Sequence, residues 1–219
     1  MIQVINLSKH SSIFNTFIAE LRDAQIQKDP MRFRRNMERI GEVMAYELSK
    51  ELEYEKHEVE TPLGVAECER LVKQPVLATI LRAGLPLHHG VLNYFDRAEN
   101  AFISAYRKHH KDETFEISLE YMSSPMIDDK VLILCDPMLA TGSSMVTAYK
   151  AMLTKGNPKH IHILSVIASA EGVNFVKKHM PANTTIWIAA IDEELTAQAY
   201  IVPGLGDAGD LAYGPKTER

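Results

Sequence analysis

The sequence predicts an α/β fold, a central parallel sheet with helices on both faces. Three observations predict it. From Pro75 onward, short aliphatic and β-branched runs alternate with stretches of helical spacing, the pattern of successive βα units. At 219 residues the chain is long enough for one well-packed domain and short for two. An apolar share of 46% beside 24% charged residues is that of a folded globular chain.

The elements follow in chain order. The first fifty residues read as two helices: Ile13, Phe14, Phe17, Ile18 and Leu21 share one helical face, and a second run opens with an Asp29 cap and Pro30 in its first turn. "YEKHEVETPLGVAEC" alternates loosely around Thr61-Pro62-Leu63-Gly64 and reads as a hairpin arm. The core then alternates "PVLATIL", "LPLHHGVLNYF", "NAFISAY", "KVLILC", "SSMVTAYKAMLTKG", "HIHILSVIA", "EGVNFVKKHM" and "TTIWIAAI", with Gly156 as a helix C-cap. After Asp192 the alternation stops. "EELTAQAYIVPGLGDAGDLAYGPK" reads as a glycine-rich loop packed on the rest, giving a single domain of three parts, 1–74, 75–191 and 192–219.

Charge and composition exclude several classes. With 24 Lys plus Arg against 29 Asp plus Glu the formal charge is −5, which offers no footprint for non-specific nucleic-acid binding. The start lacks a cationic stretch leading into an apolar core, and no run of about 18 apolar residues occurs, so a cytoplasmic protein without a membrane partner is expected. Cys68 and Cys135 are too few for a disulfide framework. Within "VLILC", Cys135 reads as a buried small hydrophobe rather than a nucleophile.

The segment "VLILCDPMLATGSSM" carries the chemistry. If "VLILC" is a central strand, Asp136 stands at its carboxyl end, where ligands of such sheets lie, and Ala140 to Ser144 turn into a helix. A helix N-terminus preceded by small residues is an anion site, because unpaired amides and the helix dipole converge there. Thr141, Ser143 and Ser144 add hydroxyls. There is no G-x-x-x-x-G-K-[ST] and no loop lysine, which disfavours a nucleotide kinase. An acid beside a monophosphate cradle suits a phosphosugar, since a carboxylate accepts from two ribose hydroxyls. A serine-capped structural turn would show the same letters.

Four stretches in order carry a resemblance. "DPMLATGSS" resembles the phosphoribosyl pyrophosphate (PRPP) loop of uracil phosphoribosyltransferases, and "ILRAGL" at 80–85, "AYR" at 105–107 and "YIVPGLGDAGD" at 200–210 are similar to the same family. The resemblance implies the type I phosphoribosyltransferase fold, with residues 192–219 forming a hood over uracil, and conversion of uracil and PRPP to UMP and pyrophosphate. It assigns PRPP binding to Arg82, Arg107, Asp136, Pro137, Met138, Leu139, Ala140, Thr141, Gly142, Ser143, Ser144 and Asp207. Ile201, Gly206, Asp207 and Ala208 take the uracil positions, and Asp207, Arg107 and Arg82 the catalytic ones. Mg²⁺ is implied as the ion bound with PRPP. The polar run "KHHKDET" reads as a flap whose closure excludes water.

This chain departs from the family pattern at three places. Ser143 replaces a glycine and would be strained if the turn needs a positive φ there. Pro86 and Leu211 also replace the usual glycine and basic residue. His88-His89 and His109-His110 read as surface or rim residues, and the alternating histidines of "KHIHIL" lack carboxylate or cysteine partners at ligand spacing. The family is generally oligomeric, so a homodimer or larger assembly is expected; a GTP effector is not legible. The rival readings are a pyrimidine-responsive RNA-binding regulator on the same fold and a phosphoribosyltransferase for another base.

Overall fold

A computed structural model describes the backbone of residues 1–109 and 115–216, and the side chains of these except at 105–109 and 115–119. The chain opens on a strand, β1 (Gln3–Asn6), which corrects the helical expectation for the first residues. Four residues are too few to show a period, and β1 is held instead by parallel pairing with a later strand. Helix α1 (Ile13–Arg22) is capped by Ser12, and α2 (Pro30–Ser49) by Asp29, whose carboxylate accepts from the amides of Met31 and Arg32. Phe33, Met37, Ile40, Met44 and Leu48 form the fully buried stripe of α2. Glu20 ties the two helices by accepting from Arg32 (2.7 and 2.8 Å) and Asn36 (2.6 Å). These bonds draw its carboxyl down to about 2.

The hairpin of β2 (Tyr54–Thr61) and β3 (Gly64–Leu71) stands apart from the main sheet and is exposed along most of both strands. The βα units then follow: β4 (Val76–Leu81), α3 (Leu85–Leu92), β5 (Glu99–His109), β6 (Phe115–Ser123), β7 (Val131–Cys135), β8 (Met138–Leu139), α4 (Ser143–Met152), β9 (His160–Ser169), α5 (Ala170–His179) and β10 (Thr184–Asp192). Gly156, at φ 117°, closes the 3₁₀ turn that extends α4. The last part holds β11 (Glu194–Leu195), β12 (Ile201–Val202) and α6 (Ala208–Tyr213), so it is not simply a loop.

The main sheet runs β1-β10-β9-β7-β4-β5-β6 with β8 added to β9, parallel throughout except for the antiparallel pair β5 and β6. That pair is a hairpin that local sequence does not announce, where only the flap was expected. Strand residues alternate between two cores. Leu77, Ile133, Leu164 and Trp187 meet the helices α1, α2 and α3 on one face. Val76, Leu132, Ile163 and Ile186 meet α4 and α5 on the other.

The order places a topological switch point between β4 and β7. From β4 the chain crosses through α3 to β5 on one side, and from β7 through α4 to β9 on the other. The crevice that such a reversal opens lies beyond the carboxyl ends of these two strands, where Arg82 and Asp136 follow.

Candidate functional site

The loop after β7 is pinned to β9 along its length. The Asp136 amide donates to the Leu164 carbonyl (3.1 Å), and the buried Ser165 hydroxyl donates to the Asp136 carbonyl (2.8 Å). The amides of Val166 and Ile167 donate to the Pro137 carbonyl (3.0 and 2.9 Å), Met138 and Leu139 pair with β9 as β8, and the Ser169 hydroxyl donates to the Ala140 carbonyl (2.6 Å). Its backbone is therefore fixed before any ligand arrives. Gly172 is what lets α5 pack this close: a Cβ there would stand 2.2 Å from the Ala140 carbonyl oxygen.

The turn into α4 resolves the Ser143 question. The positive φ falls on Gly142 (78°), while Ser143 is the first helical residue and carries no left-handed strain. Gly142, as N-cap, supplies no side-chain acceptor. The Thr141 hydroxyl instead accepts from the Ser143 amide (3.3 Å) and donates to the Ser143 hydroxyl (3.1 Å). The outcome is a helix N-terminus ringed by Thr141, Ser143 and Ser144, each half-buried.

Across the crevice, Arg82 follows β4, joined to Leu81 by a cis peptide. Its Nη2 donates to Asp210 Oδ1 (2.7 Å) and to the Gly214 carbonyl (2.6 Å), so the C-terminal segment reaches back to this arginine. Asp207 caps α6 by accepting from the Asp210 amide (2.9 Å), and its Oδ2 lies 3.7 Å from Lys216 Nζ. Gly206, at φ 92°, makes the turn into that cap. Ile201 and Ala208 are buried, at 4% and 2% exposure, whereas Gly206 and Asp207 line an open cavity of 480 Å³ with Arg22, Gln27, Asp210 and Leu211. Arg107 lies on β5 in register with Ile117, as Lys108 and His109 are with Glu116 and Phe115, but their side chains are outside the described residues, as are His110 and the rest of the flap, 110–114.

A second arginine anchors the segment. Arg22 makes a bidentate pair with Asp192 (2.7 and 2.8 Å) and donates to the Gly204 carbonyl (3.0 Å), while the Gly204 amide donates to Asp192 (2.9 Å). Burial opposes ionisation of Asp192, yet these bonds outweigh it and hold the carboxyl below its ordinary value. Nothing local in the sequence signalled Arg22, Asp192, Ser165 or Asp210.

A sequence model of the family described as uracil phosphoribosyltransferase matches residues 8–215. A uracil phosphoribosyltransferase of Porphyromonas gingivalis is 63% identical over 98% of this chain and 99% of its own length. The chain belongs to the uracil phosphoribosyltransferase family. A second relative of that name, from Methanothermobacter thermautotrophicus, is 40% identical over 85% of each chain. Among solved structures, the AQ2163 protein of Aquifex aeolicus superposes with a TM-score of 0.85 at 28% identity, covering 97% of this chain and 98% of that one. A hypoxanthine phosphoribosyltransferase from Staphylococcus aureus, at TM-score 0.50 and 14% identity over 73% of this chain and 74% of its own, shares the fold. The type I phosphoribosyltransferase fold is thus the architecture of this family member.

Two further expectations are settled by burial. His88 is not a rim residue: it is 2% exposed, its ring 5.5 Å from that of Phe102, and burial lowers its pKa. Cys135 is fully buried, and burial, with Asp136 beside it, pushes its thiol far up, which removes it as a nucleophile. Family membership implies a divalent ion. Among the described residues no cluster of three or more His, Cys, Asp or Glu side chains stands together. No helix among the described residues is long and apolar enough to cross a membrane.

Proposed function

We propose that this chain transfers the phosphoribosyl group of PRPP to uracil, forming UMP and pyrophosphate in pyrimidine salvage, with the residues gathered at the switch point in the roles that follow. The carrying observation is convergence: Arg82 after β4, Asp136 and the α4 N-terminus after β7, and the α6 N-terminus packed on Arg82 meet at one crevice. Asp136 accepts from the ribose hydroxyls. The backbone from Pro137 to Ser144 and the hydroxyls of Thr141, Ser143 and Ser144 hold the 5′-phosphate.

Arg82 and Arg107 bind the departing pyrophosphate, and main-chain groups around Ile201, Gly206 and Ala208 read the uracil imide. Asp207 would add a carboxylate ligand to Mg²⁺ bound with PRPP, and the ion would supply positive charge against the diphosphate. No protein nucleophile is required: the C1′–O bond breaks with its electron pair departing on pyrophosphate, uracil N1 bonds to the oxocarbenium-like C1′, and the N1 proton passes to the departing pyrophosphate or to water. Positioning and electrostatics carry the rate.

The test is UMP formation from uracil, PRPP and Mg²⁺ beside cytosine, hypoxanthine and orotate. Turnover of uracil alone is expected, since cytosine's 4-amino group places a donor where uracil has an acceptor and leaves a buried group unpaired. Equal turnover of cytosine contradicts the hood assignment. Asp207→Ala is expected to lower the rate about 100-fold. Asp207→Asn keeps a capping acceptor for α6, so if only the alanine variant loses activity, Asp207 acts through the cap alone. Folded protein that binds PRPP and turns over no base supports the regulator reading instead.

The partner best suited to the exposed hairpin is a second copy of the chain. Both its strands are largely solvent-facing, and Tyr54 and Val65 on them and Leu63 in the turn are 45%, 67% and 99% exposed, apolar surface that a lone chain would leave wet. A monomer across micromolar concentrations in light scattering would contradict this assembly. GTP remains a candidate effector, read out in the same assay by its addition.

A further inference from the structure

We propose that Asp210 is the positioning residue for Arg82, so that the base-binding hood sets the geometry of the pyrophosphate subsite. The inference rests on the reading of Arg82 as a pyrophosphate contact and goes beyond it in assigning Asp210. Its main chain is occupied with building α6: the amide donates to the Asp207 cap (2.9 Å) and the carbonyl accepts from the Gly214 amide (2.8 Å). Its carboxylate has a different task. Among the described residues its one hydrogen bond is that from Arg82 Nη2, at 2.7 Å.

The guanidinium is gripped at one end by two acceptors of one segment. Nη2 lies between Asp210 Oδ1 and the Gly214 carbonyl, which fixes both the position and the plane of a rigid, planar group. Gly209 lies directly against this arginine, since a Cβ there would stand in van der Waals contact with Arg82 Nε (3.6 Å) and the Ala83 Cβ (3.8 Å). Arg82 Nε is buried and has no hydrogen-bond partner among the described residues. A buried donor left unpaired costs stability, so the Nη2 contacts are what hold this side chain in place.

The pair itself does little for folding. Its side chains are 32% and 39% exposed, and an ion pair this wet is screened by solvent. Its value lies in orientation. Because α6 begins at the base-binding positions Asp207 and Ala208 and its next turn carries Asp210, ordering of the hood and alignment of Arg82 are one event. The carboxylate also matches the arginine charge whenever the crevice holds no diphosphate.

The experiment is a double-mutant cycle on kcat/KM for PRPP, using Asp210→Asn, Arg82→Ala and both together, with uracil KM and Tm measured on each. Asp210→Asn is expected to lower kcat/KM for PRPP about tenfold, the loss of one charge-assisted bond, while uracil KM and Tm stay at wild-type values. In the Arg82→Ala background it is expected to add nothing, because the partner is already gone. Asp210→Glu should recover part of the loss, and Asp210→Ser serves as a second neutral variant should the amide fold poorly.

Three results would overturn the proposal. If Arg82→Ala impairs PRPP use and Asp210→Asn does not, Asp210 has no positioning role and the pyrophosphate reading stands. If Asp210→Asn is equally damaging with and without Arg82, it acts on the hood independently. If Arg82→Ala leaves PRPP use intact, the pyrophosphate reading itself fails and takes the inference with it.

Discussion

Replacing Gly84 with alanine is expected to lower kcat/KM for PRPP by roughly 100-fold, the scale of a 1 Å misplacement of reacting groups. Gly84 has an ordinary backbone, φ −72°, so alanine meets no conformational penalty there. The penalty is steric. An added Cβ would lie 2.2 Å from Thr79 Oγ1, 2.7 Å from the Ile80 carbonyl oxygen and 2.9 Å from the Cys135 carbonyl oxygen.

These atoms belong to β4 and β7, adjacent strands in register at Thr79 and Cys135, and two of the three are backbone atoms that no rotamer change can move. Relief requires the residue 82–84 turn to lift away from the end of β7. That end carries Asp136, and the turn carries Arg82, so the two halves of the proposed phosphoribosyl site separate. Steady-state kinetics with calorimetric PRPP binding reads the loss. A folded alanine variant with wild-type kcat/KM would show that the crevice between β4 and β7 is not where the reaction occurs.

Acid is expected to destabilise the protein well above the pH at which its carboxylates titrate. His162 is 2% exposed, and its Nδ1 accepts from Trp187 Nε1 at 3.1 Å. Burial, helped by the neighbouring His160 ring, lowers its pKa from 6.5 to about 3. The folded state holds the ring neutral, while the unfolded chain protonates it near the ordinary value. The associated stability is therefore complete above pH 6.5 and drains away as pH falls toward 3.

Each tenfold difference in proton affinity between the folded and unfolded states is worth roughly 1.4 kcal/mol, so the total amounts to several kcal/mol, against a native stability of about 5–15 kcal/mol. About 2 kcal/mol should be lost between pH 6.5 and 5, before Glu20, held near 2, begins to protonate. His88 and His160, also lowered by burial, add in the same direction. His162→Gln keeps an acceptor for Trp187 and removes the titration. Urea unfolding from pH 7 to 5 should give a shallower slope for that variant, and an unchanged slope would mean that His162 does not carry the acid sensitivity.

Much of the fold could be read from the chain because its signals are local. Asp29 before Pro30 caps a helix wherever it occurs, Thr61 to Gly64 makes a turn between any two strands, and the βα alternation after Pro75 needs a covered parallel sheet to bury its strands. The loop from Asp136 to Ser144 was legible for the same reason, since its small residues, hydroxyls and following helix are contiguous. Other elements escaped because their stability is borrowed. Strand β1 is held by β10, and β6 by β5. Helix α6, six residues with a glycine inside, is too short to persist alone and leans on α2, where Arg34 donates to the Ala212 carbonyl at 2.6 Å.

By itself the sequence determined most of the element types, the strand-loop-helix from Val131 to Met152 and the family to which the chain belongs. Only the tertiary structure decided which charges meet. Arg22 finds Asp192 across 170 residues and Arg82 finds Asp210 across 128, and although "ILRAGL" marks Arg82, no local pattern says which acid among 29 each arginine will meet. Proximity in a folded chain is set by the order of strands in the sheet, a property of all the packing interactions together. His88 makes the same point, since its neighbours in sequence suggested a rim and its packing against β5 placed it inside.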